Sequence, residues 1–187
     1  KTVINKHHYP EQIDQFVKDR VDWRPEIMLS DERDKLLDSG GGVKKALPLL
    51  GEAPFYIFNS DMIWTNSDQD AIGRLATRWN EKMDILMLVI KRELAHGHDG
   101  EGDFHMNEQG RLKFRGEDAM SDYMYGGILI IRPECFKGTP TEPFSLRKIF
   151  RNVAGEGRLF GLFHEGSWYH VGTPESVNVT EQLLKGE

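Results

Sequence analysis

Phe55-Tyr56-Ile57-Phe58-Asn59-Ser60-Asp61-Met62-Ile63-Trp64 is the stretch whose reading decides the fold. A short apolar run ends abruptly in Asn-Ser-Asp, and the chain then turns apolar again. The run reads as a buried strand that delivers one carboxylate, Asp61, at its C-terminal end. In open α/β sheets ligands bind in the crevice outside those strand ends. Taken alone, the segment is read more readily as a strand closed by an Asx-type turn, because Asn, Ser and Asp are common turn residues. Its neighbours decide between the two readings.

Working outward, Glu26-Ile27-Met28-Leu29-Ser30 reads as an earlier strand, and Ser39-Gly40-Gly41-Gly42 as a glycine-rich turn leading into a helix over 43–50. Before them, Thr2 to Asn5 form a β-prone run, and Pro10 opens a helix through Arg20. After the Asp61 strand, Asp68 to Asn80 make a helix presenting Ile72, Leu75, Ala76 and Trp79 on one side. Asp84 to Lys91 is the most continuous apolar run and reads as a strand buried on both faces, as parallel sheets require. Alternating strands and helices predict a doubly wound α/β fold.

The pattern changes beyond residue 94. Ala95 to Asp103 is loop-like, and Phe104-His105-Met106 and Arg111 to Phe114 flank a four-residue connection, a β-hairpin. Ser121 to Ile131 reads as a long strand, and Phe144 to Ala154 as a helix capped by Ser145. Leu159 to His164 and Trp168 to Val171 are short strands, and a last helix begins near Pro174 with Thr173 as its cap.

The chain has 187 residues, suited to one domain with a proper core. A net charge of −6 speaks against a nucleic-acid-binding surface, which shows as a basic excess. Cys135 is the only cysteine, which suits a reducing cytoplasm. No apolar run approaches the roughly 20 residues of a membrane span, and no signal peptide is visible.

Two motifs bear on chemistry. Glycines at 40, 41 and 42 let backbone N–H groups approach a ligand, and a helix N-terminus favours anions; the spacing of a P-loop is absent. His96, His98 and His105, with Asp99 and Asp103, meet the raw ligand count for zinc without a compact zinc signature.

The ordered set of pieces is more specific than any one of them. Asn5-Lys6-His7-His8, Ser30-Asp31-Glu32, Gly40-Gly41-Gly42-Val43, Asn59-Ser60-Asp61, Gly102-Asp103-Phe104, Phe144-Ser145-Leu146 and Trp168 to Glu175 follow one another over nearly the whole chain. Together they resemble the sugar-1-phosphate nucleotidyltransferase family, in the branch of N-acetylmuramate α-1-phosphate uridylyltransferases and mannose-1-phosphate guanylyltransferases. The resemblance implies one domain over 1–187 with a Rossmann-like, doubly wound, mostly parallel mixed sheet. It also implies a nucleotide-side half over 1–94, and a sugar-side half with a small hairpin over 95–187. The implied reaction moves a nucleotidyl group from UTP or GTP to a sugar 1-phosphate, releasing pyrophosphate. Asp61 would then hold Mg²⁺, Gly40, Gly41, Gly42, Asn59 and Ser60 would face the nucleotide, and Gly102, Asp103 and Gly127 the sugar.

The chain departs from the family pattern at two points. Members begin with a strand and a G-x-G-x-R-x-x-P loop followed by a Lys, and Lys1 lies past both, so the chain as given is expected to be catalytically incomplete. A non-catalytic nucleotide-sugar-binding or regulatory module on the same scaffold is the alternative this raises. The closing motif carries His170 where an aspartate is usual, which makes His170 a candidate second metal ligand of softer character.

Overall fold

The protein is described by a computed structural model, covering residues 1–186 apart from Val21, Trp23, Arg24 and Thr141. The chain groups into two compact units that interleave in sequence, Lys1–Phe55 with Arg132–Asn152, and Tyr56–Ile131 with Val153–Glu187.

In the first unit β1 (Thr2–Lys6) and β2 (Ile27–Asp31) pair in parallel, from Thr2 opposite Ile27 to Lys6 opposite Asp31, with α1 (Pro10–Lys18) between them in sequence. Lys6 is buried at the strand ends, its ammonium 2.5 Å from Asp14 and 3.2 Å from Asp31. The Arg33 guanidinium holds the Asp31 carboxyl well below the usual carboxylate range. Glu32, also buried, accepts from the Asn5 amide at 2.5 Å and from the Leu37 N–H at 3.3 Å.

The glycines at 40–42 are not a turn. They lie buried inside α2 (Asp38–Leu50). Each glycine costs a helix about 1 kcal/mol, so local propensity favours the turn. Close packing overrides it: a Cβ on Gly40 would fall 2.6 Å from Phe144 Cδ2 and 2.7 Å from the Phe144 carbonyl oxygen. One on Gly42 would fall 2.8 Å from the Glu32 carboxylate. The Phe144 carbonyl accepts from the N–H groups of Gly40 and Gly41, at 2.8 and 3.1 Å. Ser39 Oγ accepts from the Leu146 N–H at the start of α4 (Leu146–Gly155). Ser145 caps that helix, accepting from the Arg147 N–H at 3.3 Å.

In the second unit β5 (Ile85–Lys91) is the central strand, with every residue from Ile85 to Ile90 buried. It pairs in parallel with β10 (Leu159–Phe163) and antiparallel with β9 (Tyr123–Ile131). The hairpin of β7 (Phe104–Met106) and β8 (Leu112–Phe114) extends the sheet from β9, and β3 (Phe55–Phe58) also pairs with β9. The hairpin loop has five residues rather than four, held by Asn107 Oδ1, which accepts from the N–H groups of Gln109 and Arg111. A bridge between Arg111 and Phe160 brings the hairpin back to β10.

The α/β character and the mixed sheet agree with the sequence reading, but the pairing is more antiparallel than the apolar runs suggested. A strand buried on both faces reads the same whichever way its neighbours run, and β5 has one neighbour of each kind. The helix expected over 68–80 is α3 (Ala71–Arg78), capped by Asp70, whose carboxylate accepts from the Gly73 N–H at 2.7 Å; Ala76 faces solvent. A separate three-stranded sheet has β11 (Trp168–His170) in the middle, antiparallel to β4 (Met62–Trp64) and parallel to β6 (Ala95–His96). The final helix is α5 (Pro174–Gly186), where Thr173 Oγ1 accepts from the Ser176 N–H and Ser176 Oγ from the Thr173 N–H.

One irregularity organises this unit. Met87 stands opposite Leu129 and Val89 opposite Tyr125, so Gly126, Gly127 and Ile128 of β9 face Leu88 alone. Gly127 takes φ +83°, a left-handed backbone that glycine adopts without strain.

His164, at the end of β10, is 2% exposed, and its Nδ1 has no hydrogen-bond partner among the described residues. Burial pushes its imidazole below the ordinary value, opposed by the carbonyl of Ser167. The unfolded chain therefore takes up a proton near pH 6.5 that the folded chain resists, so stability holds above that pH and declines below it. The unfolding free energy measured in urea is expected to fall between pH 7 and pH 5, by up to about 1.4 kcal/mol per pH unit from this group, and to fall less in His164→Gln.

Candidate active site

Asn59, Ser60 and Asp61 form the whole link between β3 and β4, and all three are exposed. Two backbone hydrogen bonds fix it. The Asn59 N–H donates to the Gly127 carbonyl at 2.8 Å, and the Val171 N–H donates to the Asp61 carbonyl at 2.8 Å. The backbone of Asp61 is thus tied to the sheet while its carboxylate stays free to meet a ligand.

The β4–β11 ladder brings the other candidate to it. His170 lies opposite Met62, and its Nε2 stands 3.6 Å from Asp61 Oδ2. The imidazole is 34% exposed and the carboxylate 52%, so both groups reach solvent. A bare α-carbon at Gly172 makes room for the ring, since a Cβ there would fall 2.7 Å from His170 Cε1, and Gly97, at φ +76°, passes close to the His170 backbone, where a Cβ would fall 3.1 Å from the carbonyl oxygen. His98 meets the ring edge-on at 6.0 Å, and Trp168 lies nearly parallel to it at 6.4 Å.

Sequence reasoning missed three supporting residues. Trp168 Nε1–H donates to the Gly126 carbonyl at 2.9 Å, inside the core, and so ties β11 to the break in β9. The Tyr125 phenol is pushed above its ordinary value, first by burial and then by the negative charge of Asp61. The only sequence signal was the Tyr125-Gly126-Gly127 triplet inside an otherwise apolar strand, where paired glycines mark a bulge.

The remaining predicted residues fall around the same strand or away from it. Asp103 accepts from the Tyr125 N–H at 3.1 Å and donates its own N–H to the Tyr123 carbonyl at 2.7 Å. Gly102, at φ +83°, passes against Ser121, where a Cβ would fall 2.5 Å from the hydroxyl. Gly127 packs on Met62 and Asn59. Asp61, Asn59, Gly127 and His170 are therefore brought together, with Gly102 and Asp103 bracing the start of β9. Gly40, Gly41 and Gly42 belong to the first unit, and two of their N–H groups are already donated to Phe144. Of the histidine loop, His96 stacks on Tyr169 at 5.1 Å, and His105 pairs with Asp118 at 3.0 Å. Among the described residues no three His, Cys, Asp or Glu side chains are grouped to hold a metal ion.

Gly127→Ala and Gly138→Ala separate backbone strain from packing. Both positions are left-handed, at φ +83° and +71°, but only at Gly127 would a Cβ meet neighbours, with Met62 Cγ at 2.9 Å. Gly138→Ala is expected to lose about 1–2 kcal/mol of unfolding free energy in urea. Gly127→Ala is expected to lose about 1–3 kcal/mol more, through crowding against the Asp61 link.

No family model matches the chain. Over 185 residues it is 32% identical to the N-acetylmuramate alpha-1-phosphate uridylyltransferase of Caulobacter vibrioides, covering 97% of this chain and 76% of that protein. Over 172 residues it is 29% identical to the protein of the same name in Neisseria meningitidis serogroup B, covering 91% and 72%. Among solved structures, HddC from Yersinia pseudotuberculosis complexed with GMP-PN superposes with a TM-score of 0.71 at 13% identity, covering 97% of this chain and 77% of that one.

Proposed function

The chain belongs to the sugar-1-phosphate nucleotidyltransferase family, and from that premise we propose that it transfers a nucleotidyl group from UTP or GTP to a sugar 1-phosphate. An oxygen of the sugar phosphate forms a bond to the α-phosphorus. The bond from that phosphorus to the β-phosphate bridge breaks, and the electron pair leaves with pyrophosphate. Such a step needs in-line positioning and charge neutralisation more than a protein nucleophile. The observation that carries this reading is Asp61, whose backbone is tied to β11 while its half-exposed carboxylate faces His170 at 3.6 Å.

The donor set suits Mg²⁺ as the cofactor. That ion binds through one or two carboxylates together with substrate phosphates and keeps several waters. A lone carboxylate in an open site fits this, and so does the lack of a three-residue cluster among the described residues. Asp61 would hold the ion, which when bound neutralises the triphosphate. His170 would be the second residue toward the ion, its Nε2 3.6 Å from Asp61 Oδ2 and a softer donor than the carboxylate. Asn59 and Ser60 face the nucleotide beside Asp61. Gly40, Gly41 and Gly42 would also serve the nucleotide, and within the first unit they let α2 lie close to Asn5 and Glu32. Gly102, Asp103 and Gly127 serve the sugar through the start of β9. Nucleotide substrates and a single cysteine suit the cytoplasm, and the product would supply a glycosyl-transfer step in wall or polysaccharide synthesis.

Phosphorus NMR of the protein carrying the family's first strand and G-x-G-x-R-x-x-P loop ahead of Lys1, with UTP or GTP, a sugar 1-phosphate and Mg²⁺, tests this. The diphosphodiester resonances of a nucleotide sugar should grow in step with pyrophosphate. Asp61→Asn should keep its fold and lose about 100-fold or more in rate, the order expected when several kcal/mol of charge stabilisation are removed.

A further inference from the structure

His164 follows β10 and sits at the junction of two other strands. Its N–H donates to the Val89 carbonyl of β5 at 2.9 Å, and its Nε2 stands 3.2 Å from the Ser167 carbonyl. A carbonyl acceptor there assigns the proton of the neutral ring to Nε2. Nδ1 then presents a buried lone pair with no hydrogen-bond partner among the described residues. The loop from His164 to Ser167 folds closely around the ring: a Cβ on Gly166 would overlap the Thr65 carbonyl and fall 3.1 Å from His164 Nε2. The charged groups facing the ring are Arg74 of α3 and Glu165 beside it, which pair with one another at 2.9 Å.

Thr65 and Ser167 form one end of the β4–β11 ladder. The Thr65 N–H donates to the Ser167 carbonyl at 3.0 Å, and the Ser167 N–H to Thr65 Oγ1 at 3.2 Å. The ladder continues from Trp64 opposite Trp168 to Met62 opposite His170. Its far end is the Val171 N–H on the Asp61 carbonyl. Pairing this short is marginal by itself, so the contacts that hold its ends decide whether it stays closed.

We infer that His164 is a proton-operated latch on this ladder: neutral, it holds the loop to the end of β4, and protonated, it leaves its place and frees the end that carries Asp61 and His170. A proton on Nδ1 would bury an N–H where no acceptor is in hydrogen-bonding position among the described residues, and a cation beside Arg74. Burial is the largest influence on the ring and lowers its proton affinity, Arg74 acts the same way, and the Ser167 and Thr65 carbonyls and Glu165 oppose them. Once the loop opens, the ring meets water and takes up a proton near pH 6.5, so opening is favoured progressively as pH falls below that value. The ladder is therefore closed at neutral pH and released in acid. The latch rests on the geometry of the junction, and only its consequence for turnover rests on the nucleotidyl-transfer reading of Asp61.

Amide hydrogen exchange, read residue by residue by NMR at pH 7 and pH 5.5 and corrected for the intrinsic pH dependence of exchange, tests this without substrate. Protection of the Thr65 and Val171 N–H groups is expected to fall about fivefold over that interval, the change that one proton taken up on opening gives. The Asn107 N–H, bonded to Arg111 in the hairpin, should keep its protection. His164→Gln should abolish the fall. Arg74→Gln, which removes the cation and frees the Glu165 carboxylate, should move it to higher pH. Protection at Thr65 and Val171 that does not change with pH overturns the inference. So does a fall that survives His164→Gln, stays in place in Arg74→Gln or is matched at Asn107. Each of these outcomes leaves the nucleotidyl-transfer reading standing, and failure of that reading by phosphorus NMR leaves the exchange result unmoved.

Discussion

The second unit depends on one constraint, the break in β9 at Gly126 and Gly127. In a regular strand adjacent carbonyls point to opposite edges, so one of these two would bond to β5. Because three residues of β9 face one of β5, the Gly127 carbonyl is released to Asn59 and the Gly126 carbonyl to Trp168. These two bonds seat the link carrying Asp61 and the strand carrying His170 against the same point. The antiparallel pairing of β4 with β11 then sets their distance. Glycine is needed twice over at 127, for its left-handed backbone and for the space that Met62 and Asn59 occupy.

Much of this architecture is legible in local sequence because its causes are local. An apolar run ending in Asn-Ser-Asp, an Asn-started hairpin loop, and Ser or Thr ahead of an amphipathic run each settle their element within a few residues. Asp61 and His170 were legible as candidates for the same reason. The errors came where a distant partner decides. Gly40 to Gly42 read as a turn because nothing nearby reveals that Phe144, over a hundred residues later, packs where their side chains would be. The direction of the neighbours of β5 is equally silent in its own apolar run. Ala76 was assigned to the buried face of a helix that starts later and ends sooner than its periodicity suggested.

The site itself is open and modest. It offers one carboxylate, one imidazole and a buried phenol, without a nucleophile activated for covalent chemistry. That is what phosphorus chemistry with a metal-bound triphosphate asks of a protein: a fixed oxygen donor, room for phosphates, and neighbours that hold the donor still. His170 is set in place deliberately, with Gly97 and Gly172 bare around it. The fold shared with HddC extends over 97% of this chain.

The most direct test of Asp61 as the metal-holding carboxylate is the Mg²⁺ dependence of nucleotide affinity, measured by titrating UTP and GTP into the protein with the ion present and with it chelated. The expected result is at least about tenfold tighter binding of one nucleotide with Mg²⁺, as several kcal/mol of phosphate charge stabilisation would give, and loss of that increment in Asp61→Asn. A Mg²⁺ increment that persists undiminished in Asp61→Asn would contradict it.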